Sequence, residues 1–161
     1  KSFNQQQNYA NLIRQILDAG ITPFGSFAFG FDHDEPDVFD RTLEFLATTG
    51  MPLASFFILT PLPGTVLYDR LLKEHRIIDH HWHNYDLSRV VFQPAKMSPE
   101  ELQEKYWHAF GAFYSRQNIM RRIRAATGAS TIQKMYAMLC RNMIAHRINP
   151  LSGGVVKKVE R

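Results

Sequence analysis

The chain has 161 residues, 45% of them hydrophobic and 21% charged, with a net charge of +4, a composition that suits one globular unit with a real core and excludes a disordered segment. No apolar run approaches the roughly 20 residues that span a bilayer, and the polar start at residues 1–7 is not a secretory signal. The single cysteine, Cys140, excludes an internal disulfide framework or a Cys-x-x-Cys site within these residues, so a reducing cytoplasm is the expected compartment.

The charge is uneven. Residues 116–161 hold ten Lys/Arg against one acid, while residues 1–115 hold nine against fourteen. A basic block of this kind faces nucleic acid, an anionic membrane or an acidic neighbour, and charge alone does not choose among them. The chain does not begin with Met, and it is expected to be a piece of something longer.

In chain order, Tyr9, Leu12, Ile13, Ile16 and Leu17 recur at helical spacing, and Asp18-Ala19-Gly20 is a helix stop. Residues 21–29 predict a strand, with Pro23 at its start, where no ladder N–H is needed. The acidic loop around Asp32, Asp34 and Asp37 leads into a helix with Val38, Phe39, Thr42, Leu43 and Leu46 on one face and Gly50 beyond its end. Residues 53–59 are an unbroken apolar run, as in a strand covered on both faces, and the Pro61, Pro63 and Gly64 of the following turn must end it. Thr65 is placed to cap a helix over residues 66–74. Helix, strand, helix, strand, helix with short connections is the repeat of a parallel sheet or barrel, which predicts that the two strands are adjacent and parallel and deliver residues 30–37 and 60–65 to one rim.

Residues 77–97 read as an irregular aromatic connector, with a short extended piece at residues 89–93. Ser98-Pro99-Glu100-Glu101 is a strong helix start, and Leu102, Tyr106, Ala109, Phe110, Phe113 and Tyr114 form a wide apolar face behind it. Further helices are expected at about residues 118–126 and 130–146, and the charged end at residues 151–161 reads as a mobile tail. His75, His80, His81 and His83 suggest a metal site, but adjacent residues 80 and 81 tend to point apart and no Asp or Cys completes a tetrahedral set, so no metal ligand is assigned.

Taken together, Asn4, Tyr9, the helix ending at Ala19-Gly20, Gly25-Ser26-Phe27-Ala28-Phe29-Gly30-Phe31-Asp32-His33-Asp34, Leu59-Thr60-Pro61-Leu62-Pro63-Gly64-Thr65, and then Trp82, Tyr85, Asp86 and Met97 resemble the C-terminal half of a radical S-adenosylmethionine enzyme of the cobalamin-binding type. The resemblance covers most of residues 1–124. It implies an α/β fold: a partial (β/α) barrel over residues 1–76, contributing the last two strands with their helices, followed by the connector and an all-helical extension over residues 98–150. It implies that Phe27, Phe29 and Gly30 lie along adenosylmethionine with apolar side chains against adenine, and that Leu59, Thr60 and Pro61 give adenine backbone contacts. Asp32 and Asp34 are read either as partners of a ribose or substrate hydroxyl or as carboxylates serving the helix dipole.

The resemblance further implies adenosylmethionine and a [4Fe–4S] cluster in the parent protein, with cobalamin as a further candidate cofactor. The partners it implies are the upstream half of the barrel, a cobalamin-binding domain and a small-molecule substrate. The family holds its cluster with a C-x-x-x-C-x-x-C loop, and Cys140 alone cannot replace it; this chain by itself is therefore expected to be inactive. The competing readings are a basic helical module for nucleic acid or an anionic surface, built on Arg121, Arg122, Arg124, Lys134, Arg141 and Arg147, and a structural lid. Tyr106, Phe110 and Phe113 lie on an apolar helical face, which speaks against nucleic acid. An unpaired strand edge at residues 21–29 is expected to favour self-association.

Overall fold

The computed structural model describes residues 6–125, 136 and 138–143. Its elements are α1 (Gln6–Asp18), β1 (Phe24–Phe29), α2 (Val38–Thr49), β2 (Leu53–Ile58), α3 (Val66–Lys73), a 3₁₀ turn (Trp82–Asn84), α4 (Pro99–Phe113) and α5 (Arg116–Ala125). The expected tail lies outside the described residues, as does most of the expected last helix, of which residues 138–143 are helical.

β1 and β2 pair in parallel, as expected from the short connections around α2, in the register Gly25 with Ala54, Phe27 with Phe56 and Phe29 with Ile58. Side chains alternate along a strand, so these six residues share one face. That face is the core. Phe29 stacks on Phe39 of α2 with ring centroids 4.2 Å apart, and Phe56 meets Phe110 and Phe113 of α4 edge-on at 4.9 and 5.9 Å. Phe56 is fully buried.

β1 starts three residues later than expected. Ile21 is 61% exposed and its N–H is spent on the Ile16 carbonyl in closing α1, while Pro23 has no N–H to offer a ladder. α1 buries Ile13, but Tyr9 and Leu12 of its expected apolar face remain exposed. Gly50 ends α2 in the left-handed conformation with φ 68°, where L side chains are disfavoured.

The remaining boundaries follow local chemistry. Thr65 Oγ accepts the Tyr68 N–H at the start of α3, and Ser98 Oγ accepts the Glu101 N–H at the start of α4, with Pro99 at the first helical position. Ser98→Ala should lower unfolding free energy by about 1 kcal/mol with the fold retained; an unchanged denaturant midpoint would show that Ser98 does not cap α4. The connector is folded on itself by an antiparallel bridge between Ile77 and Phe92. Among the described residues no helix is long and apolar enough to cross a membrane.

The two edges of the sheet differ. On the outer side of β2, the Tyr114 hydroxyl accepts the Ala54 N–H at 3.3 Å and donates to the Ala54 carbonyl at 2.7 Å. Farther along the same edge, the Ile58 N–H donates to the Leu87 carbonyl at 2.7 Å, and Leu87 adopts φ 65° at this contact. On the other side, β1 has β2 as its strand neighbour and no second one among the described residues.

Candidate functional site

The C-terminal ends of both strands open onto one rim, formed by the β1–α2 loop and the β2–α3 loop. In the first loop the carboxylate of Asp34, 6% exposed, accepts the N–H groups of Gly30 and Phe31 at 2.9 and 3.0 Å. Asp34 is therefore occupied with folding its own loop, a role that neither expected reading covered. Gly30 has φ 103°, and a Cβ there would lie 3.1 Å from Leu102 Cδ2 and 3.2 Å from Phe92 Cζ. This glycine is required by packing against α4 as well as by its backbone angle.

Asp32 is held by two arginines, Arg70 of α3 and Arg76, the latter at 2.8 Å. Their hydrogen bonds keep its carboxyl below the usual carboxylate range. Arg76 also donates to Glu74 at 2.9 Å and to the Gln93 carbonyl at 2.8 Å. Nearby, Lys96 pairs with Glu35 at 2.8 Å and lowers its pKa. What the loop presents outward is Phe31, 39% exposed, with the His33 ring stacked 5.8 Å away.

The structure redistributes the expected nucleoside-wall residues. Phe29 is 1% exposed, sealed between Phe39 and Phe56, and Phe27 packs on Phe45 and Phe56 on the same face. Both point to the helix-covered face, because the strand period sends the odd-numbered β1 side chains there. The exposed positions of β1 are Phe24, Ser26 and Ala28, which share the other face with Ser55 and Phe57 of β2. Gly30 is enclosed by Leu102 and Phe92.

At the end of β2, the Leu59 N–H donates to the Phe29 carbonyl at 2.8 Å, so that group is not free for adenine. Thr60 is buried and its hydroxyl donates to the Ile58 carbonyl at 3.0 Å; Pro61 is buried as well. The alternation along β1 separates the two faces, but residue size does not say which is the core: Phe24 and Phe57 lie with Ser26 and Ala28, and Gly25 and Ala54 lie with Phe27 and Phe29.

The cluster-ligand test is negative for these residues. Cys140 is 1% exposed, and burial raises its thiol pKa, the opposite of what a thiolate ligand requires. Its neighbours are tyrosines: burial chiefly raises the pKa of Tyr114, and that of Tyr136 is pushed up to about 12 for the same reason. Among the described residues no three His, Cys, Asp or Glu side chains group around a possible metal position. His81 instead lies 2.9 Å from the Asp79 carboxylate.

The family model described as "Domain of unknown function (DUF4070)" matches residues 65–151. The chain belongs to this family. It is also 31% identical over 124 residues to bacteriochlorophyllide d C-12(1)-methyltransferase of Chlorobaculum tepidum, covering 77% of this chain and 27% of that protein. Bacteriochlorophyllide d C-8(2)-methyltransferase of the same organism is 24% identical over 97% of this chain and 36% of its own length. Hopanoid C-2 methylase of Rhodopseudomonas palustris is 32% identical over 48% of this chain and 15% of its own length.

The chain thus spans about a third or less of the curated relatives it matches. These relatives are named as methyltransferases and a methylase, and they bear out the resemblance to the C-terminal half of the cobalamin-binding radical S-adenosylmethionine enzymes. The DUF4070 match begins at Thr65, the cap of α3, and includes Arg70, Arg76, Phe92, Lys96 and Leu102, which approach the rim loop.

Proposed function

We propose that the chain is the C-terminal part of a radical S-adenosylmethionine methyltransferase, in which the open face of β1 and β2 and the rim loops form one wall of the cavity for adenosylmethionine and substrate. The observation that carries this reading is the asymmetry of the sheet: Tyr114 and Leu87 bond to the outer edge of β2, while β1, beside an exposed Ser26 and Ala28, has no second strand neighbour among the described residues. Upstream strands of a (β/α) barrel would add at β1, and the small side chains would then line its interior. Adenine is a flat, polarisable ring that needs apolar walls and a few polar partners, and Ala28, Phe57 and Phe31 supply wall rather than catalytic groups.

The cluster and any cobalamin are held elsewhere in the parent protein, since these residues do not fit a cluster. The substrates named for the relatives, a bacteriochlorophyllide and a hopanoid, make a ring-rich apolar molecule the substrate class to try first. A location in the cytoplasm accords with this chemistry. The nucleic-acid reading is disfavoured because Tyr106, Phe110 and Phe113 are buried and Arg122 of α5 lies 3.9 Å over the Phe113 ring and donates to the Phe113 carbonyl.

The test is anaerobic reconstitution of two proteins, the full-length protein and the 161-residue chain, followed by dithionite and adenosylmethionine. The full-length protein should show a cluster spectrum and form 5′-deoxyadenosine and S-adenosylhomocysteine, and the 161-residue chain should show neither cluster nor product. A loaded full-length protein that consumes no adenosylmethionine would overturn the proposal, as would turnover by the short chain.

A further inference from the structure

We propose that the DUF4070 region is a clamp that sets the conformation of the β1–α2 rim loop, with Arg76 and Lys96 as positioning residues. This rests on the functional reading above for the importance of that loop, but the contacts stand by themselves. Three independent attachments reach residues 30–35 from residues 65–151. Arg70 and Arg76 grip the two carboxylate oxygens of Asp32. Lys96 holds Glu35 at 2.8 Å. Leu102 and Phe92 fill the space that a Cβ on Gly30 would need.

The attachments draw on α3 and the residue Arg76 after it, on the connector through Lys96 and Phe92, and on α4 through Leu102. Exposed ion pairs contribute little to global stability, so two of them on one short loop act mainly on its geometry. Arg76 is suited to this because it is itself fixed from three sides, by Asp32, Glu74 and the Gln93 carbonyl, with a side chain only 17% exposed. Inside the loop, Asp34 gathers the Gly30 and Phe31 N–H groups. The loop is therefore determined from within by one carboxylate and from without by the DUF4070 region, leaving Phe31 and His33 as the side chains it displays. Binding groups held by a supporting shell of this kind lose less freedom when a ligand arrives.

The experiment is peptide-resolved hydrogen–deuterium exchange on the full-length protein and its Lys96→Ala, Arg76→Lys and Arg76→Ala/Lys96→Ala variants, with calorimetric titration of S-adenosylhomocysteine. In the double variant, exchange across residues 30–37 should accelerate by about tenfold while peptides of α4 stay unchanged. Arg76→Lys, which keeps the charge and loses the fork, should fall between wild type and the double variant. Exchange across residues 30–37 within about twofold of wild type, or an equal rise throughout α4, would overturn the clamp. If the double variant does not fold, Lys96→Ala decides alone, since Lys96 is exposed and its loss should loosen residues 30–37 only. S-adenosylhomocysteine should bind the double variant about tenfold more weakly than wild type. Failure of the wild type to bind it would overturn the functional reading, and the exchange rates would still judge the clamp.

Discussion

Phe56→Ala should cost about 3–5 kcal/mol, the range for removing a large aromatic from a packed core, and lower the thermal midpoint by roughly 10–15 °C. Phe56 is fully buried at the crossing of both core layers, touching Phe27 and Phe29 across the sheet and Phe110 and Phe113 on α4. Its loss opens a cavity between the α/β unit and the helical extension, where neither side can collapse without moving a helix. Since domains are stable by only about 5–15 kcal/mol, this one change removes a large share of the total. A midpoint lowered by less than about 3 °C would mean that α4 does not pack on the sheet as described.

Gly30→Val should cost about 2–4 kcal/mol by combining two effects. The first is backbone strain at φ 103°, and the second is a branched side chain driven toward the buried Leu102 and Phe92, which must shift to admit it. The comparison that separates them is Gly64→Ala. Gly64 has φ 80° and nothing within 4 Å of its would-be Cβ, so strain alone acts there, at about 1–2 kcal/mol. Equal losses in urea unfolding for the two variants would refute the packing role assigned to Gly30.

Much of this fold is legible in the order of residues. The Thr65 and Ser98 caps, the Gly20, Gly50 and Gly64 stops and the parallel pairing of the two strands follow from local chemistry and short loops, and each has its expected counterpart in the structure. The failures are of a different physical kind. Phe27 and Phe29 read equally well as ligand wall and as core, because period-two alternation separates two faces without saying which of them the helices cover. Asp32 reads as a hydroxyl partner or a helix-dipole carboxylate because its arginine partners lie 38 and 44 positions away. Tyr114 reads as one more apolar residue of α4, yet its hydroxyl reaches back 60 positions to Ala54. Long-range polar pairs leave no periodic trace in a sequence.

The seal that Tyr114 places on β2 gives the sheet a direction of growth. A single phenol both accepts from and donates to the backbone of one residue, Ala54, so at that point the edge offers an incoming strand nothing to bind. β1 has no such cover among the described residues. The line along β1 is consequently a seam: the place where the protein could be divided into two separately expressed pieces and reassembled by strand addition, and where a second copy would attach if the proper neighbour were missing.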